Sequence, residues 1–303
     1  MSEEVLDLHL ATVRRLSKPG GPLAIGATTE TIKNRLWFTP PPLIAARSER
    51  RRLHARLIAR AREEAGEVAS GRVAYVLAGP PGAGKSTVIE ELLAEARSDY
   101  LVVDPDRFKV WLLEEAVADG SFESVIKPPE IAALEEDGEK FFPLEFAALV
   151  HEESSRLAHL LSAEAVHSGL NLVVDGVLAN AAKAKELVAQ LERGRYDVRV
   201  IDVEVPYALC EQRVQTRWRQ AYRDALADPS TAVGGRWVPS EYARSVFGSS
   251  AQSKCVASAL AAAHSSPAVS EYRRYVTHED GATPALVEHL RSAGPGGPLI
   301  ALS

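Results

Sequence analysis

The chain has 303 residues, 46% of them hydrophobic and 25% charged, with a net charge of -6. That length holds one large α/β domain or two small ones around an ample core, and the acidic balance disfavours a broad basic surface for nucleic acid while leaving room for a local basic cleft. Cys210 and Cys255 lack metal-ligand spacing, no apolar run reaches membrane length, and Met1-Ser2-Glu3-Glu4 has no signal-peptide pattern, so a reducing cytoplasm is expected.

In chain order, residues 1–29 open with a short helix around Val5–Leu16 and a Pro/Gly joint, Lys18-Pro19-Gly20-Gly21-Pro22. They read as an N-terminal arm, with a lid, a partner site or a loose flexible tail as alternatives and a passive arm preferred. Past Pro40-Pro41-Pro42, the stretch from Ser48 to Arg60 reads as an amphipathic helix with Leu53, Leu57 and Ile58 on one face. Its arginines suggest a nucleic-acid patch, but Glu63, Glu64 and Glu67 follow closely, so a solvated charged face is the better reading.

Gly79-Pro80-Pro81-Gly82-Ala83-Gly84-Lys85-Ser86 fits G-x-x-x-x-G-K-[ST], and Thr87 follows it. A short apolar strand, Arg72–Ala78, precedes the loop, and an apolar-periodic helix follows it. Strand, glycine loop and helix start together make an anion cradle. Lys85 is expected on the β/γ-phosphates of ATP, with the Ser86 hydroxyl on Mg²⁺.

A second strand, Tyr100–Val103, ends in Asp104-Pro105-Asp106-Arg107-Phe108-Lys109. Carboxylates at that end of a parallel strand face the ligand crevice of an α/β sheet, although one of them can equally cap a helix. Residues 110–150 alternate helical pieces with Lys127-Pro128-Pro129 and the acidic stretch Glu135–Glu139, and read as an irregular insertion over the sheet edge. His151-Glu152-Glu153-Ser154-Ser155 then opens a helix reaching about His167. A hydrolase triad is rejected there, because neither serine sits in a nucleophile-elbow sequence.

A third strand ends in Val174-Asp175-Gly176, an acid at the Walker-B position. A helix from Ala181 to Arg193 and a fourth strand, Asp197–Val205, continue the strand–helix alternation of a parallel sheet. Next comes a helix bearing Arg213, Arg217, Arg219 and Arg223, a break at Asp228-Pro229-Ser230, and Gly234-Gly235-Arg236-Trp237. These segments resemble a lid that closes on phosphate, although surface arginine is the ordinary alternative for most of them. Ser240–Ala263 reads as helical and Glu271–Thr277 as a last strand. The tail from Ala282 reads as a short helix with a loosely held end.

The ordered set Gly79–Thr87, Asp104–Lys109, His151–Ser155, Asn171–Gly176, Arg217 and Gly235–Pro239 resembles the zeta toxin family, kinase toxins of epsilon/zeta toxin–antitoxin systems. The likeness spans about residues 48 to 277. It implies a P-loop kinase fold: a mainly parallel sheet with helices on both faces and an arginine-bearing lid, over a domain of residues 30–280 with a tail of 281–303. Characterised members transfer the ATP γ-phosphate to the 3′-hydroxyl of the amino sugar of UDP-N-acetylglucosamine. Carried onto this chain, Asp106 matches the general base, Lys85 and Ser86 the phosphate-loop pair, and Arg217 and Arg236 the clamp on the transferring phosphate. Lys109, His151, Glu152 and Ser154 are expected to border the substrate, and Ser86 and Asp175 to hold Mg²⁺. A UDP-sugar substrate and a small helical antitoxin are the implied partners, with no nucleic acid or membrane. A kinase of another hydroxylated metabolite, such as a nucleotide, NAD or an antibiotic, uses the same parts. A regulatory ATPase would not need Asp106.

Overall fold

The computed structural model describes residues 3–228 and 233–302. From position 229, the break expected at Asp228-Pro229-Ser230 lies outside the described residues. In chain order the elements are α1 (Glu3–Leu16), α2 (Ser48–Ala65), β1 (Val73–Ala78), α3 (Lys85–Leu93), β2 (Leu101–Val103), α4 (Pro105–Ala118), α5 (Pro129–Glu136), α6 (His151–Ser168), β3 (Leu172–Asp175), α7 (Ala181–Arg193), β4 (Asp197–Glu204), α8 (Tyr207–Ala227), α9 (Ser240–Phe247), α10 (Lys254–Ala263), β5 (Val269–Val276), β6 (Ala285–Ser292) and β7 (Leu299–Ala301). They divide into two compact units. The first holds Met1–Arg60, Pro105–Ala158 and Arg213–Glu241; the second holds Ala61–Asp104, His159–Gln212 and Tyr242–Ser303.

The second unit is built on one seven-stranded sheet in the order β2-β3-β1-β4-β5-β6-β7. β2, β3, β1, β4 and β5 run parallel, and β6 and β7 add antiparallel strands at one edge. Alternation along the strands sends Tyr75, Leu77, Val173, Ile201 and Val203 into one layer, where they meet Val88, Ile89 and Leu93 of α3. Ala74, Val76, Val198 and Val200, at the alternate positions, are also buried, so both sheet faces are covered. That double burial is why these strands read as continuous apolar runs. Cys210 and Cys255 belong to the same core and are free thiols.

The tail forms the strands β6 and β7 rather than a short helix. Ala285-Leu286-Val287-Glu288 carries helix formers, but β5 offers an unpaired edge, and cross-strand pairing such as Tyr272 opposite Leu290 overrides local propensity. Ser240–Ala263 is helical as read, in two pieces: Gly248 adopts φ +65° after α9, a left-handed stop that closes the helix before α10 begins.

In the first unit α1 is an amphipathic helix with Leu6, His9, Leu10, Val13 and Leu16 buried. It lies against an aromatic cluster that includes Phe141, Trp218 and Tyr222. The arm read as passive thus has a packed apolar face. The region read as an irregular insertion carries most of α4, with Trp111, Leu112 and Leu113 buried, and α5. On α2, Arg56 pairs with Glu115 and Arg60 with Glu114. Arg50 is buried and makes a two-pronged bond to Glu153, 2.5 and 2.8 Å long. His54 Nε2 lies 2.7 Å from the same carboxylate.

Candidate active site

The glycine loop joins β1 to α3 in the second unit. Gly79 has φ +149°, and a Cβ there would run into the Val203 carbonyl oxygen, so only glycine fits. Gly82 and Gly84 sit at φ +73° and +92°. These left-handed turns wrap the backbone into a concave nest of N–H groups, the shape that receives phosphate oxygens. No side chain caps the start of α3, which leaves the helix terminus open to an anion.

Lys85 Nζ donates to the Gly79 carbonyl at 3.2 Å and lies 3.6 Å from Asp175 Oδ1. The strand register accounts for that approach: Asp175 ends β3 directly opposite Leu77 of β1, two residues before Gly79. Gly79 N in turn donates to the Val177 carbonyl at 3.2 Å, which ties the loop to the chain leaving β3. Asp175 Oδ1 is shielded from solvent and accepts no hydrogen bond, while Ser86 and Thr87, which follow Lys85 in the chain, are exposed. Among the described residues no three His, Cys, Asp or Glu side chains gather as a metal cage. The Ser86 hydroxyl and the Asp175 carboxylate are hard-oxygen donors of the kind that suits Mg²⁺, which binds through one or two protein groups plus substrate phosphates and water.

The first unit carries a second polar constellation. Asp106 lies in the first turn of α4 and is 40% exposed. Lys109, one turn on, places Nζ 2.9 Å from Asp106 Oδ1, and Arg236 pairs with Oδ2. Arg236 is brought there by a stapled loop. Leu144 N donates to Val233 O at 2.8 Å, and Trp237 N donates to Leu144 O at 3.4 Å. A Cβ at Gly235 would lie 2.5 Å from the Trp218 carbonyl oxygen, so the glycine allows the loop to press against α8. Arg217 is an exposed residue of α8, directly before the fully buried Trp218.

The residues opening α6 divide by burial. Glu152 is exposed and His151 half-buried, whereas Ser154 is fully buried and its hydroxyl donates to the His151 carbonyl at 2.8 Å. Ser154, expected at the substrate border, is thereby removed from it: no solvent reaches it, and its donor is used within its own helix turn. The charged residue of this stretch that the sequence reading passed over is Glu153. Burial alone would raise its carboxyl, but hydrogen bonds from His54 and Arg50 outweigh that and bring it down to about 2. Its partners stand 99 and 103 residues away, beyond any local pattern. The anchors of the arginine segments were missed too, although the repeated pair Arg217-Trp218 and Arg236-Trp237 is visible in the sequence.

A family model described as an AAA domain, AAA_33, matches residues 75–233. No curated protein matches the chain. Among solved structures, a chain of AvrRxo1-ORF1:AvrRxo1-ORF2 with sulphate ions is 20% identical, with 84% of this chain and 70% of that chain covered, at a TM-score of 0.55. The AvrRxo1-ORF1:-ORF2 structure with ATP has the same identity and coverage and a TM-score of 0.50. The PezAT chromosomal toxin–antitoxin system of Streptococcus pneumoniae matches at 19% identity over 58% of this chain and 65% of that one, with a TM-score of 0.40.

Proposed function

The chain belongs to the AAA_33 family of AAA domains and has an α/β P-loop kinase fold, and from that premise we propose that it is an ATP-dependent kinase of a small hydroxylated molecule. The acceptor we favour is the 3′-hydroxyl of the amino sugar of UDP-N-acetylglucosamine, and the biological role that of a toxin held by a protein antitoxin. The observation that carries the reading is the carboxylate of Asp106, held between Lys109 and Arg236. A phosphate loop alone serves switches and ATPases as well as kinases. A half-exposed carboxylate joined to an arginine and a lysine is what transfer to a hydroxyl adds.

In this proposal the glycine loop holds the triphosphate through its backbone N–H groups and Lys85. The acceptor hydroxyl gives its proton to Asp106 as its oxygen bonds to the γ-phosphorus and the bond from that phosphorus to the β–γ bridging oxygen breaks, with ADP as the leaving group. Lys85, Arg217 and Arg236 stabilise the charge that spreads over the γ-oxygens. Ser86 and Asp175 would hold Mg²⁺, which when bound neutralises phosphate charge. His151 and Glu152, on the solvent-facing side of the α6 start, border the acceptor. The AvrRxo1-ORF1:-ORF2 structures are two-component complexes, one of them with ATP. Those descriptions support nucleotide binding and a protein partner for this chain.

The deciding experiment offers labelled ATP with a panel of UDP-sugars, nucleotides, NAD and hydroxylated antibiotics. Label is expected in UDP-N-acetylglucosamine. Label in another acceptor replaces the substrate assignment, and ADP release indifferent to every acceptor returns the chain to the regulatory ATPases. Asp106→Asn is expected to bind ATP as the wild type does and to lose at least ~10²-fold in transfer. Near-wild-type turnover in that variant would remove Asp106 as the base.

A further inference from the structure

The two arginines assigned to the phosphate clamp share a feature of sequence: each is followed at once by a buried tryptophan, Trp218 or Trp237. Both tryptophans are tied to the amino-terminal arm. Trp237 Nε1 donates to Ser17 Oγ at 2.8 Å, in a buried contact spanning 220 residues of sequence. Trp218 Nε1 donates to Glu145 Oε1 at 3.1 Å, and that same oxygen lies 3.0 Å from His9 Nε2. The His9 ring stacks on Trp218, with centroids 5.8 Å apart and planes at 27°. The two indoles meet edge to face at 6.0 Å. On the outer side of the same helices, Asp7 and Glu3 of α1 pair with Arg219 and Arg223 of α8.

We infer that the arm is a positioning element of the phosphoryl clamp: His9 and Ser17 fix the tryptophans that set where Arg217 and Arg236 stand. This rests on the kinase reading for its functional half and on the geometry alone for its structural half. A passive arm needs neither a buried histidine between two carboxylates nor a hydroxyl aimed at an indole N–H. Polar groups buried this deeply stabilise one arrangement strongly and tolerate others poorly. The arm thereby converts a loop and a helix face, both adaptable, into one held geometry.

The charged and titratable groups facing His9 are Glu139, which follows α5, Glu145 before α6, and Tyr222 on α8. Burial lowers the imidazole's affinity for a proton, yet the hydrogen bonds and charge of Glu145, then Glu139, outweigh it and raise the pKa above the usual histidine value. A raised folded pKa means that this contact stabilises fully below the ordinary histidine range and weakens as pH rises through the folded value.

The test uses the full chain with His9→Gln and, separately, Ser17→Ala, measured by amide hydrogen exchange and by transfer kinetics with labelled ATP. In both variants residues 233–238 are expected to exchange about tenfold faster while the phosphate loop is unchanged. kcat is expected to fall about tenfold with KM for ATP held. In the wild type the same segment should lose protection as pH rises, and in His9→Gln that pH dependence should vanish. Unchanged protection in folded variants overturns the inference, as does faster exchange with an unaltered kcat. Failure of the wild type to phosphorylate any acceptor strikes the kinase reading instead, and the exchange data then decide whether the arm fixes the segment.

Discussion

Glu153 shows how much one side chain can hold. Its carboxylate is wholly inaccessible and is satisfied by Arg50 and His54. Breaking one side of a buried ion pair strands the other charge, which costs far more than the pair contributes. Glu153→Gln is therefore expected to lower stability by about 3–5 kcal/mol at neutral pH, read from urea unfolding. The folded carboxyl titrates at about 2 against an ordinary 4.5. Its contribution is thus present above 4.5 and is lost as pH falls toward 2, so the difference between wild type and variant should shrink in acid. A variant within 1 kcal/mol of wild type at neutral pH would show that the cluster relaxes or takes in water.

At the scale of elements, the loop carrying Arg236 depends on what surrounds it. Gly234 at φ +78° and Gly235 against α8 let it turn, and Leu144 staples both of its ends. Arg236→Ala leaves those supports intact and removes only the guanidinium. On the proposed role it should reduce kcat by ~10³-fold and change ATP affinity little. An effect confined to KM would take Arg236 out of the clamp. The same elements show why some of the chain was readable from sequence. Gly79–Ser86 and Asp175 declare themselves because a tight turn and a strand end impose local residue choices. β6 did not, because its Ala, Leu and Glu favour a helix until the edge of β5 is present. His9 and Glu145 did not either: they are 136 residues apart, and only folding makes them neighbours. Asp106 lay between, legible as an acid at a strand end, while its ion pair with Arg236 joins residues far apart in the chain that only folding brings together.

At the scale of the whole molecule, the net charge is -6, and three α2 arginines, Arg50, Arg56 and Arg60, pair with Glu153, Glu115 and Glu114. No helix among the described residues is long and apolar enough to cross a membrane. The sheet unit also contains Cys210 and Cys255, both fully inaccessible, with burial pushing their thiols up to about 12 and about 11. Only the thiolate reacts with alkylating agents, so in the folded protein both sulfurs should be nearly inert. They form a built-in stopwatch: iodoacetamide added to the native chain should mark them only when their unit opens, and the labelling rate should report the opening equilibrium. ATP at a hundred times its Kd should slow that marking about a hundredfold if it binds the native unit alone. Labelling as fast as that of an unfolded control would mean the sheet unit is not closed around its sulfurs.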